Sequence, residues 1–136
     1  MRKNKPKSKA EQPSESPTVG RVTTILLVDD NLDTRLMTKW FLSYVGHVVH
    51  AFSSPREALA HFDPNIHDLV VTDNSMPHMT GAEMAHIIKL RSRTTPVVMF
   101  SGAPPADQNC LDAVLRRPAP LSLLKEAVDM LLDRRP

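Results

Sequence analysis

With 136 residues, 17 Lys and Arg against 15 Asp and Glu, and 41% hydrophobic side chains, the chain has the length of one domain, enough apolar content for a core, and no charge excess that forces a partner. Its four glycines, Gly20, Gly46, Gly81 and Gly102, are too few and too scattered for a glycine-rich phosphate loop, which needs clustered glycines to bring backbone amides onto phosphates. One cysteine, Cys110, excludes a disulfide framework and a cysteine-based zinc site, and no apolar run approaches the roughly 18 residues of a membrane helix. A cytoplasmic protein with no transmembrane segment is expected.

Residues 1–22 hold six basic and two acidic side chains, and the rest of the chain is mildly acidic with eleven against thirteen. The segment is rich in Lys, Pro and Ser and carries few apolar residues, too few to offset backbone ordering at roughly 1–2 kcal/mol per residue. It is expected to be a disordered basic tail, with residues 23–136 forming the folded domain. The tail lacks aromatic interleaving, so no specific nucleic-acid partner is expected.

From Thr23 onward, short apolar runs alternate with segments of helical period, the pattern of βαβ units and a parallel sheet. Five strands are predicted at Ile25–Val28, His47–Phe52, Leu69–Val71, Pro96–Phe100 and Ala113–Leu115. Between the first two, Leu32, Leu36, Trp40 and Tyr44 recur four apart on one face of a helix that Gly46 ends, and Trp40 reads as core or helix surface. Ser54-Pro55-Arg56-Glu57 opens a second helix with a capping box and a proline in its first turn, and Thr80-Gly81-Ala82-Glu83 repeats the capping pattern before the Met84, Ile87, Ile88 stripe of a third. A last helix runs from about Leu121 to Leu132, and with Pro136 close behind no downstream domain is expected. Between Phe100 and Ala113, Pro104 and Pro105 and the lack of an apolar stripe predict a loop or a short helix.

In an open parallel sheet, ligands bind beyond the carboxyl ends of the strands. There the sequence places Asp29 and Asp30 after the first strand, Asp73 after the third, Ser101 after the fourth and Arg117 after the fifth. If the first and third strands are neighbours, three carboxylates share one volume. At 4 Å and an effective dielectric of about 20 each like-charged pair costs on the order of 4 kcal/mol, so the cluster is expected to bind a divalent cation or keep a proton. An all-oxygen donor set favours Mg²⁺, Mn²⁺ or Ca²⁺. Asp73 beside such a cation, with Ser101 and Arg117 as donors to the transferred oxygens, suits formation of an aspartyl phosphate.

The strings Ile25-Leu26-Leu27-Val28-Asp29-Asp30-Asn31, Leu69-Val70-Val71-Thr72-Asp73-Asn74-Ser75-Met76-Pro77-His78-Met79-Thr80-Gly81 and Pro96-Val97-Val98-Met99-Phe100-Ser101-Gly102-Ala103 resemble, in order, the most characteristic stretches of the receiver domain of two-component response regulators. Arg117-Pro118 stands where that family has Lys-Pro. The resemblance covers about Thr23 to Leu132 and implies a single-domain response regulator with a flavodoxin-like, doubly wound α/β fold. It implies a five-stranded parallel sheet of order 2-1-3-4-5, here with the fourth helix short or absent. It further implies Asp73 as phosphoacceptor, with Mg²⁺ held by Asp29, Asp30, Asp73 and the backbone carbonyl of Ser75. Ser101 and Arg117 would contact the phosphoryl group, and Gly102 would leave room for one of its oxygens. The donor would be a histidine kinase or histidine phosphotransfer protein, and the output a further protein. The chain departs from the family in Arg117, in Val114 at the aromatic switch position, and in a short stretch from Ser101 to Arg117.

The main expectation is a phosphorylation-switched binding module, not an enzyme. One alternative is a phosphorylation-independent scaffold, suggested by Arg117 and Val114. Another is an aspartate-nucleophile phosphatase, which needs an acid where Ser75 stands.

Overall fold

Five short apolar runs become five parallel strands, the central three, β-branched and buried on both faces, forming the middle of the sheet and the two partly exposed ones its edges. The structure, a computed structural model, describes residues 22–134, so the predicted disordered tail lies outside the described residues except for Val22. In chain order the elements are β1 (Thr24–Val28), α1 (Leu32–Tyr44), β2 (Val48–Phe52), α2 (Pro55–His61), β3 (Leu69–Thr72), α3 (Gly81–Arg91), β4 (Val97–Ser101), β5 (Ala113–Arg116) and α4 (Leu121–Asp133). The strands pair in the order β2-β1-β3-β4-β5, all parallel, so the fold is the expected doubly wound α/β sheet. None of the helices among the described residues is long and apolar enough to cross a membrane.

The period of two along each strand divides the core into two layers. Ile25 and Leu27 of β1, Leu69 and Val71 of β3, and Val98 and Phe100 of β4 pack with Leu42 of α1 and with Leu124, Val128 and Leu131 of α4. On the other face, Leu26, Val28, Val70 and Val97 pack with Ala58 and Leu59 of α2 and with Met84, Ala85 and Ile88 of α3.

The helix ends follow the predicted caps at Gly46, Ser54 and Thr80, and Asn31 adds one that the sequence patterns do not predict. The Thr34 N–H donates to Asn31 Oδ1 at 2.9 Å at the start of α1. At its end, the Gly46 N–H donates to the Ser43 carbonyl and the His47 N–H to the Leu42 carbonyl, a Schellman closure that needs the +111° φ of Gly46. Thr80 and Glu83 form a complete capping box on α3. At α2 the Glu57 N–H donates to Ser54 Oγ at 3.2 Å, the forward half of the predicted box.

The apolar stripe of α1 faces solvent. Leu32, Leu36, Trp40 and Tyr44 are each more than half exposed, and the helix turns Thr38 and Leu42 toward the sheet. Amphipathic period locates a stripe but not the side on which the sheet lies.

No helix forms between β4 and β5. The connection is held at its lower end instead. Lys89 Nζ donates to the Thr95 carbonyl and to Asp112 Oδ2, each at 2.7 Å, and the Val97 N–H donates to the same Asp112 oxygen at 2.7 Å. A groove of about 650 Å³ lies between α3 and this connection, with Ala82, His86, Pro105 and Leu111 among its walls.

One buried polar atom under α1 is unsatisfied among the described residues, the Thr38 hydroxyl. A buried hydroxyl without a partner costs more than a methyl of the same shape. Thr38→Val is therefore expected to raise stability by about 1 kcal/mol, read as a higher urea midpoint with an unchanged slope.

Candidate functional site

The parallel register of β1 and β3 pairs Val28 with Thr72, so the next residue on each strand, Asp29 and Asp73, emerges at the same level at the carboxyl edge of the sheet. The Asp73 N–H donates to the Val28 carbonyl at 3.0 Å, tying the two strand ends together. Asp30 follows on the loop into α1. One carboxylate oxygen from each of Asp29, Asp30 and Asp73 lies within 4.8 Å of the others, with Asp29 and Asp73 buried and Asp30 exposed.

Each buried carboxylate has local donors. Asp29 Oδ1 accepts from the Asn31 N–H at 3.0 Å, and Asp73 Oδ1 from the Asn74 N–H at 2.7 Å. β5 delivers the countercharge: Ser101 pairs with Arg116, and one residue on, Arg117 places its guanidinium 3.3 Å from Asp73 Oδ1 and 3.7 Å from Asp29 Oδ2. The same guanidinium carbon lies 5.3 Å from the centre of the Phe100 ring. Ion pairing and a cation–π contact thus orient one planar fork.

Burial pushes the Asp29 carboxyl above its ordinary 3.8. The Asn31 N–H pulls it back, Asp73 and Asp30 push it further up, and Arg117 opposes them. One guanidinium therefore leaves the three acids undercompensated. The donor set fits a hard divalent cation, since it is all oxygen, mostly carboxylate and open to solvent at Asp30.

The remaining predicted residues are positioned as follows. Ser101 closes β4, fully buried, and its Oγ accepts from the Ala103 N–H at 3.0 Å. Ser75 is exposed two residues after Asp73. A Cβ added at Gly102 would meet nothing within 4 Å, so the space beside that residue is open. Val114 is half-buried in β5, opposite Met99. His78, exposed in the loop after Asp73, takes a left-handed φ of +73°.

Two positioning residues escape the sequence patterns. Asn74, buried, accepts from the Ala82 N–H through Oδ1 at 3.1 Å, accepts from the Gly81 N–H through its carbonyl at 2.9 Å, and donates from Nδ2 to the Ala103 carbonyl at 3.0 Å. It joins the Asp73 loop to the start of α3 and to the loop after Ser101. Gly81 makes that approach possible, because a Cβ there would lie 2.0 Å from the Asp73 carbonyl oxygen. The sequence shows Gly81 in a cap and, with Asn74, in the family-like string, but neither reading reveals the contacts that these two residues make.

The response regulator receiver domain family matches residues 25–128. The sensor protein EvgS of Escherichia coli K12 is 28% identical over 130 residues, covering 91% of this chain and 11% of that protein. The autoinducer 1 sensor kinase/phosphatase LuxN of Vibrio harveyi is 28% identical over 116 residues, covering 82% of this chain and 14% of that protein. The chain thus spans a small part of these relatives' length. Among solved structures, response regulator protein TrrA of Thermotoga maritima, in complex with Mg²⁺-BeF, superimposes with a TM-score of 0.76 at 25% identity over 81% of this chain and 99% of that one. A response regulator receiver domain protein of Clostridium thermocellum gives 0.78 at 26% identity over 83% and 96%.

Two outcomes follow from the geometry. Gly81→Ala is expected to cost about 1–3 kcal/mol by forcing the Asp73 backbone away, measured by chemical denaturation. The raised Asp29 carboxyl means that the folded state binds more protons than the unfolded state between pH 3.8 and the raised value. Without divalent cations, stability should therefore fall as pH rises through that window and stay reduced at neutral pH. Asp29→Asn should flatten this part of the profile, and a steeper decline in that variant would contradict the assignment.

Proposed function

Because this chain belongs to the response regulator receiver domain family, we propose that Asp73 accepts a phosphoryl group from a histidine kinase or histidine phosphotransfer protein and that the product signals by binding another protein. The observation that carries this reading is the placement of Asp73 at the end of β3, among Asp29, Asp30 and the Arg117 guanidinium.

In the transfer, an Asp73 carboxylate oxygen attacks phosphorus from the open side of the site. The new O–P bond forms as the N–P bond of the phosphohistidine breaks, and the imidazole nitrogen leaves with its electron pair. Asp29, Asp30, Asp73 and the Ser75 carbonyl would hold Mg²⁺, which neutralises charge on the transferring oxygens when bound. The Asn74 N–H holds Asp73 Oδ1 in place and leaves the other carboxylate oxygen as the nucleophile. Arg117 is positioned to exchange its contact with Asp73 for one with a phosphoryl oxygen. Ser101 Oγ, now accepting from the Ala103 N–H, can donate its own proton to the phosphoryl group while keeping that acceptor role. We assign the chain no catalytic turnover of its own beyond accepting and losing this group.

A phosphorylation-independent scaffold is the second reading. It is favoured by the bridge that Arg117 already makes between Asp29 and Asp73, and by Val114, which offers no ring to rotate. Beryllofluoride, present with Mg²⁺ in the Thermotoga maritima structure, separates the two readings, because a scaffold would bind its protein partner equally with and without it.

Incubation with acetyl phosphate and Mg²⁺ should add one phosphoryl group to the native chain and none to Asp73→Asn, read by intact mass. Equal uptake by the variant would move the acceptor elsewhere. Arg117→Lys replaces a planar fork by a point charge and should change the lifetime of the phosphorylated form by several-fold, read by loss of the added mass over time. An unchanged lifetime would remove Arg117 from phosphoryl contact.

A further inference from the structure

The outward face of α1 is an apolar surface that neither the carboxylate cluster nor the core explains. Leu32, Leu36, Trp40 and Tyr44 follow one ridge of the helix, and Met37 stands on the next. Trp40 is 62% and Tyr44 76% exposed, yet their rings stack on each other with centroids 5.5 Å apart and planes 14° from parallel. The two rings thus present one continuous aromatic surface to a partner.

We propose that this face joins two copies of the chain in a two-fold symmetric dimer, α1 packing antiparallel against α1. A two-fold interface must be complementary to itself. Here the aliphatic pair Leu32 and Leu36 occupies the first half of the ridge, and the aromatic pair Trp40 and Tyr44 the second. With the axis level with Thr38 but on the opposite, exposed side of the helix, Leu36 meets the partner's Trp40 and Leu32 meets the partner's Tyr44, so a small side chain faces a large one at every level. A parallel pairing would set large against large. A near-aligned crossing of about 20°, with the i±4 row of one helix in the i±3 groove of the other, keeps these pairs in contact along the ridge, and the groove toward Met37 is open to receive the partner.

Size and charge agree with this occupant. The two aromatic side chains, each covering at most about 150–250 Å², and the three aliphatic ones are 52–76% exposed and the rings already cover each other, so the contact supplies on the order of 400–500 Å² per copy, the size of a weak, concentration-dependent interface. The exposed face carries one acid, Asp33, and one base, Lys39, so two copies meet without an excess of like charge, and nothing on it selects a strongly charged partner.

Trp40 is the only tryptophan of the chain and therefore reports its own burial. Light scattering and tryptophan emission of the full chain are measured together from low-micromolar to near-millimolar concentration. Mass should rise from monomer to dimer while emission shifts to the blue with the same midpoint. Leu36→Glu retains the fluorophore and should weaken association by more than about 30-fold, leaving emission red-shifted throughout. If circular dichroism shows that variant unfolded, Tyr44→Lys takes its place. A monomeric mass at all concentrations overturns the proposal, as does a dimer whose emission does not move or which Leu36→Glu and Tyr44→Lys leave intact. Blue-shifted emission appearing only when a histidine phosphotransfer protein is added overturns it too, since the face then belongs to that protein.

Discussion

Everything at the carboxyl edge of the sheet answers to one electrostatic constraint: three carboxylates meet where a single guanidinium stands. The parallel register of β1 and β3 makes the meeting unavoidable, because it brings Asp29 and Asp73 out of the sheet side by side. The surrounding backbone supplies donors where it can, from Asn31 to Asp29 and from Asn74 to Asp73, and Arg117 spans both acids. Arg35 does not add to that countercharge directly, since its guanidinium donates to the Asp29 carbonyl at 2.9 Å. Burial first, with the repulsion of Asp73 and Asp30 added to it, leaves the Asp29 carboxyl raised. A site kept short of positive charge attracts cations and accepts phosphoryl groups with their metal, which is the physical content of the proposed function.

The loop after Ser101 is tied to the Asp73 loop by hydrogen bonds and by no aromatic ring. Both polar groups of Ala103 are engaged from the site side, its N–H by Ser101 Oγ and its carbonyl by Asn74 Nδ2. Asn74 also receives the first two N–H groups of α3. One side chain thus joins the Asp73 loop, the start of α3 and the loop that leads into the opposite wall of the 650 Å³ groove. Val114 stands in the neighbouring strand, too small to take part in such a linkage.

Much of this was legible in the sequence, and the reasons are local. The strands are visible because each apolar run is bounded by polar or turn-forming residues, and the caps at Ser54 and Thr80 lie next to the helices they start. The acids are visible because they follow the strand runs directly, so the fold class alone brings them together. What depends on distant partners is not. The α1 stripe has ideal period, but its direction is set by the sheet behind Thr38 and Leu42. Asn74 reads as a loop residue, and its bonds run to residues eight and twenty-nine positions away. Asp112, which fastens the start of β5 to β4 and α3, gives no hint in its neighbourhood.

That fastening has a wider meaning. The connection between β4 and β5 is clamped at both ends, by Asp112 and Lys89 below and above by the Arg117 N–H on the Ser101 carbonyl. The register of β5 is thereby independent of what the intervening residues do. Doubling the length of such a connection costs only about 0.6 kcal/mol of closure entropy. The segment from Pro105 to Cys110, beyond the Gly102 and Ala103 contacts to Arg116, Ser101 and Asn74, is thus a natural graft point, where a helix, a peptide epitope or an entire small domain can be spliced in while the acidic edge and the sheet stay as they are.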